Sequence, residues 1–198
     1  MQIPQVNNGK TPNQYLSTLQ MLPLPADTPF GNLALKYHKI ISRTDHMNLR
    51  LHEVFESFNV MRKLSFMPPG IIEHQFILEE IVYWMRRTID ELISLRYILY
   101  QKEITGDYPE KIEIDSIGAL LNPKDRKLKG FRDEFSVFNN FFEQFNKISN
   151  AHKHSFINSE ISQIGNLEPF VFALSLDRND LGKNPEFHAY KIVDLVSN

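Results

Sequence analysis

The sequence predicts a mainly α-helical fold, an antiparallel helical bundle with a small C-terminal β element, and three observations predict it. Apolar residues recur at three-and-four spacing through two long stretches without proline, 32–66 and 71–102, and again through 131–156. Hard stops separate them: Met67-Pro68-Pro69-Gly70, then Gly106-Asp107-Tyr108-Pro109. Proline lacks the N–H a helix needs, and glycine favours the turn that follows one. Residues that favour strands cluster late, in Phe170-Val171-Phe172-Ala173-Leu174-Ser175-Leu176.

Residues 1–31 carry Pro4, Pro12, Pro23, Pro25 and Pro29 and form a proline-rich arm; such spacing forbids a long helix. Asn13 to Met21 leaves room for a short one. Residues 32–198 make a single helical domain. Asn32, after Gly31, is the N-cap of the first helix, whose apolar positions include Ile40, Ile41, Met47, Leu51, Val54, Phe55 and Phe58. In the second, Leu78, Val82, Met85, Ile89, Leu92 and Leu99 form one stripe, widened by Ile77, Ile81, Trp84 and Ile93. That arc is broader than one partner helix covers, so this is the central helix. Residues 107–130 connect, with a short helix near Asp115 to Leu121. In the third helix, after Gly130, Phe131, Phe135, Phe138, Phe142, Phe145, Ile148 and His152 share one side. Residues from about 169 to 196 make the β element, and the stretch from Phe187 onward reads equally as a second strand or a final helix.

Composition excludes several functions. With no cysteine there are no disulfides, zinc–thiolate sites or thiol nucleophiles. A net charge of −2 lacks the basic footprint of a nucleic-acid binder at whole-chain level. MQIPQVNNGK is not a secretory signal and no apolar run suits a membrane span, so a cytoplasmic, membrane-free protein is expected. HExxH, GxGxxG and the phosphate-binding Gly-x4-Gly-Lys-Ser/Thr loop are absent, as is any Glu followed three residues later by His. No cofactor or metal is expected. His52 and Glu56, four apart, are two potential ligands without a third.

The densest polar group closes the third helix: Asn146-Lys147-Ile148-Ser149-Asn150-Ala151-His152-Lys153-His154. At about 100° per residue, Lys147, Asn150 and His154 share a face, while His152 falls on the apolar side as a packed core histidine. A cation, an amide and an imidazole on one face can grip a phosphate and move a proton. The structural alternative is a solvated helix end, where lysine and histidine suit the helix dipole.

Ser149-Asn150-Ala151-His152-Lys153-His154, late in a helix of a helical domain, resembles the Arg-Asn-x-x-x-His signature of HEPN domains. The likeness spans about residues 32–156. It implies a dimer and metal-independent RNA cleavage by the 2′-OH, in toxin–antitoxin or other bacterial defence systems. By position His154 matches the family histidine and Asn150 the amide, with Lys147 as a phosphate contact. Ser149, however, stands where the family has arginine, and serine offers no fixed positive fork. The expectation is a degenerate HEPN-like protein, RNA-associated, with weak or absent nuclease activity. The alternatives are a non-catalytic interaction module and a helical small-molecule enzyme. Arg86-Arg87 with Asp90-Glu91 reads as local ion pairing, or as a source of the missing arginine from a neighbouring helix. A homodimer is expected, with a monomer covered by the arm as its rival.

Overall fold

A computed structural model describes residues 3–6, 24–63, 71–122, 128–154 and 166–197, the side chains of 71 and 72 excepted. It is mainly helical with a small antiparallel sheet near the C-terminus. The first helix, α1, runs Leu33–Lys63, and the second, α2, Ile71–Thr105. Asn32 caps α1: its Oδ1 accepts from the Leu35 N–H at 3.1 Å. Gly31 before it has φ +91 and Gly106 after α2 has φ +83, left-handed conformations that glycine takes without a Cβ clash. The end of α2 thus falls three residues beyond the expected 102, at Thr105, with the glycine next in the chain. Residues 64–66, assigned by sequence to the first helix, lie outside the described residues, as does the short helix expected over Asn13 to Met21.

The two long helices run antiparallel, because their cross-links reverse order along the chain. Lys36 and Arg43 reach Glu91 at 3.0 and 2.9 Å, His46 reaches Glu80 at 3.2 Å, and Ser57 meets His74 at 2.8 Å. Arg50 Nε lies 3.1 Å from Glu80 Oε2, an ion pair whose N–H is not aligned as a hydrogen bond. Between these rows Met47, Leu51, Val54 and Phe55 of α1 pack with Leu78, Ile81 and Val82 of α2. On its other sides α2 meets α3 (Ile117–Leu121) and α5 (Asn139–His154), so it is the central helix. Ser116 caps α3, accepting from the Ala119 N–H.

The third long helix expected over 131–156 is not continuous. A short α4, Lys129–Asp133, is followed by a tight 3-10 turn, Ser136–Phe138, and only then by α5. Phe131, fully buried, packs edge-on against Tyr97, Tyr100 and Phe135 with ring centres 5.5, 5.3 and 5.2 Å apart. The Ser136 hydroxyl bonds the Asp133 carbonyl at 2.8 Å, the local competition by which serine interrupts helices. Phe142, Phe145 and Ile148 continue inward along α5, but Phe138 is left 42% exposed. Positions 155 and 156 lie outside the described residues.

At the C-terminal end β1 (Phe170–Ser175) pairs antiparallel with β2 (Glu186–Lys191), Val171 opposite Tyr190 and Ala173 opposite His188. Val171 and Ala173 turn inward onto the core, and β1 packs on α5. The stretch that reads as strand or helix is both. It is strand as far as Lys191, then α6, Ile192–Ser197, which buries Ile192 and Leu195. The described parts of the proline-rich arm lie on the domain. Val6 N–H donates to Asn48 Oδ1 at 2.9 Å, and Leu24 and Phe30 pack around Leu33, Leu95 and Ile98. Among the described residues, no helix is long and apolar enough to cross a membrane.

Candidate functional site

The polar end of α5 divides into two faces with different surroundings. On the face turned to α2, Arg86 is only 6% exposed. Its Nε donates to both carboxylate oxygens of Asp90, at 3.0 and 2.9 Å, one helical turn along. Its Nη1 donates to Asn146 Oδ1 at 2.6 Å and to Ser149 Oγ at 2.9 Å on α5. Asp90 Oδ1 also accepts from the Ile117 N–H at 2.8 Å, so one arginine–aspartate pair ties α2, α3 and α5 together. A planar guanidinium suits this duty because its donors diverge in a fixed fork. Ser149, in the motif's arginine position, therefore receives a guanidinium from the neighbouring helix.

The other face carries the sequence-predicted residues. Lys147 Nζ is 2.9 Å from Glu186 Oε1 of β2 and 55% exposed. The pairing raises the lysine's pKa and lowers the glutamate's. Asn150 and His154 are exposed, and the His154 backbone carbonyl accepts from Asn179 Nδ2 at 2.9 Å. Lys147, Asn150 and His154 thus share a face, as their spacing predicts. The structure brings Asn146 and Ser149, and not these three, to the arginine. His52 and Glu56 stand 3.3 Å apart as an isolated pair. Among the described residues, no cluster of three or more potential ligands could hold a metal.

Two adjoining hollows open along α2 beside the arginine and share Tyr83 and Lys153. The first, about 310 Å³, is lined by Phe76, Glu79, Glu80, Val82, Tyr83, Ser149, His152 and Lys153. The second, about 290 Å³, carries Arg86, Arg87, Asp90, Glu91, Ser94 and Asp115. The adjacent glutamates of the first differ. Glu80 is satisfied by His46, Arg50 and the Trp84 Nε1–H, and its hydrogen bonds hold its carboxyl low against the opposing effect of burial. Among the described residues, the titratable group within ion-pair reach of Glu79 is His152, Nδ1 to Oε1 being 3.9 Å. Burial pushes the Glu79 carboxyl up and the His152 imidazole down to about 4. At neutral pH the histidine is therefore no counter-ion.

The expected ion pairing of Arg86-Arg87 with Asp90-Glu91 is present, Arg87 Nε lying 3.2 Å from Glu91. Trp84 is half-buried under the Arg43 and Arg87 guanidiniums, at 5.3 and 5.9 Å from its ring. Sequence reasoning missed Phe76, Glu79 and Tyr83. The available signal was two aromatics seven apart, off the core stripe, on an otherwise charged face of α2. Compared with protein-family models, with curated proteins and with solved structures, the chain matches none, and the site is read from its own geometry.

Proposed function

We propose that the chain is a HEPN-like helical domain that acts by binding a partner, without cutting RNA. The observation that carries this reading is the engagement of Arg86. Its guanidinium lies next to the motif's arginine position, but it is buried and bonded to Asp90, Asn146 and Ser149. A group that stabilises a transferring phosphate must present its donors to the phosphate, preorganised and open. His154, the acid–base candidate, is on the other face of α5 beside a lysine already paired to Glu186. Grip and proton acceptor therefore do not converge on one reacting phosphate. The surface beside Arg86 instead offers the exposed aromatics Phe76 and Tyr83 among carboxylates and cations that are largely paired with one another, a composition that suits protein contact.

The test is incubation of the purified chain with mixed single-stranded RNAs in EDTA, beside His154→Ala and Lys147→Ala. The expected result is no cleavage by any of the three. Cleavage by the wild type that His154→Ala abolishes overturns the reading and establishes a metal-independent nuclease. Light scattering on the same sample reports assembly: a mass near the chain's 23.2 kDa rejects the homodimer that the family resemblance implies.

A further inference from the structure

The first hollow beside α2 has an electrostatic imbalance with a defined shape. Phe76 and Tyr83 are seven residues apart, about 10 Å along the helix, and are 63% and 44% exposed. Glu79 lies between them, one turn from each, and all three line the hollow. Glu80 next to it is already neutralised by α1. Among the described residues, no lysine or arginine comes within ion-pair reach of Glu79. Lys153 lines the hollow as well but forms no pair with it. A half-buried carboxylate without a cation, set between exposed aromatic faces, is complementary to an organic cation on an alkyl stem. The charge meets the carboxylate, and the stem and the onium face meet the rings.

Resting on the binding-module reading above, we infer that this hollow seats a lysine or arginine side chain of a basic partner peptide, with Glu79 as counter-ion and Phe76 and Tyr83 as walls. Phosphate-bearing ligands are disfavoured by the same carboxylate. A peptide is favoured over a free amine because the second hollow continues the groove past Tyr83 to the exposed Asp115 carboxylate, Asp90 and Glu91 there being already paired with Arg86 and with Lys36, Arg43 and Arg87. An extended or helical segment with one further basic residue opposite Asp115 fits that continuation.

The experiment uses the full chain and its single tryptophan. Trp84 stacks edge-on to Tyr83 with ring centres 4.9 Å apart, so its fluorescence reports occupancy of the hollow. Four probes are titrated: a short blocked leucine–lysine peptide, the same peptide with glutamate for lysine, butylamine, and oligouridylate. The lysine peptide should bind, with the glutamate peptide and oligouridylate silent and butylamine at least about tenfold weaker. Glu79→Gln and Phe76→Ala, each at a partly exposed position, should weaken the lysine peptide about tenfold, the equivalent of one modest charge pair. Glu56→Gln, an exposed carboxylate elsewhere on α1, should leave it unchanged. Far-UV circular dichroism confirms that each variant is folded. No binding of the lysine peptide, equal losses in Glu79→Gln and Glu56→Gln, equal binding of the glutamate peptide, or butylamine bound as tightly as the peptide each overturns the inference. Failure here in a chain that leaves RNA intact removes the basic peptide alone. RNA cleavage lost in His154→Ala removes the non-catalytic reading, and the peptide titration still decides the hollow.

Discussion

Acidification from pH 7 to pH 5 should destabilise the fold through His74. The ring is 0% exposed between α1 and α2, its Nδ1 bonded to Ser57 Oγ at 2.8 Å and its Nε2 unpartnered. The Ser57 hydroxyl donates to the Val54 carbonyl at 3.0 Å, so it accepts the histidine proton at Nδ1 and the ring is neutral. Burial pushes the pKa of His74 from 6.5 to about 4. An unfolded chain therefore binds a proton below pH 6.5 that the folded chain refuses until about 4. Stability is full above pH 6.5, falls as the pH drops through that window, and levels off below it. At about 1.36 kcal/mol per unit the whole window is worth about 3 kcal/mol, and about 2 kcal/mol is lost by pH 5. His152 and His188, also lowered by burial, add to the slope in the same direction. Urea unfolding of wild type and His74→Gln, followed by Trp84 fluorescence at several pH values between 7 and 5, isolates the His74 share. The variant should lose about one proton's worth of slope. Parallel stability curves for the two proteins across that interval would refute the reasoning, whatever their offset.

Four further outcomes are expected. Arg86→Ala should cost about 3–5 kcal/mol in denaturant unfolding, because it strands a half-buried Asp90 and two α5 acceptors, and Arg86→Lys should restore little for want of the fork. Gly130→Ala should destabilise by about 1–3 kcal/mol, since its Cβ would meet the Tyr100 hydroxyl at 2.6 Å; adding Tyr100→Phe should recover most of the loss in a double-mutant cycle. Phe145→Ala should cost about 3–5 kcal/mol from a cavity at a fully buried ring, read as a lowered thermal midpoint. Glu91, whose carboxyl is held at about 2 by hydrogen bonds from Arg43, Lys36 and Arg87 that outweigh its burial, contributes stability present above its ordinary 4.5 and lost towards pH 2; Glu91→Gln should flatten the acid limb below pH 4.5.

The long helices were legible because periodic burial and explicit breakers act within a few residues. Asn32, the Pro68-Pro69 stop and Gly106 are local signals, and α1 and α2 begin or end beside them. The break before α5 was not legible. The phenylalanine spacing of 131–156 fits one helix, and the break there comes with the tertiary fit of Phe131 against Tyr97 and Tyr100, added to the local bond of Ser136 to the Asp133 carbonyl. The stretch ending in α6 stayed open between strand and helix for the opposite reason: two short elements of six residues each follow one another there, too short for either period to declare itself. At the site, helical geometry gave the common face of Lys147, Asn150 and His154. The sequence offered Arg86-Arg87 as a source of the missing arginine, but it could not say which of the two would reach Ser149, some sixty residues on, because that contact depends on how α2 and α5 cross. Glu79 and Glu80 are equivalent neighbours in the sequence, and the layout of α1 basic residues, with His46 and Arg50 on Glu80, distinguishes them.

The two glutamates that α2 offers to α1 also resist a slide of one helix along the other. Glu80 and Glu91 are eleven residues apart, about 16 Å of helix, and each is gripped by two basic residues of α1. A slide of one helix along the other by a single turn, about 5.4 Å, would pull both carboxylates out of their clasps at once. Arg43 and Glu91 are 6% and 14% exposed, so at that end the vacated charges would face little water. The two clasps therefore act as a key that fixes the register of α1 against α2.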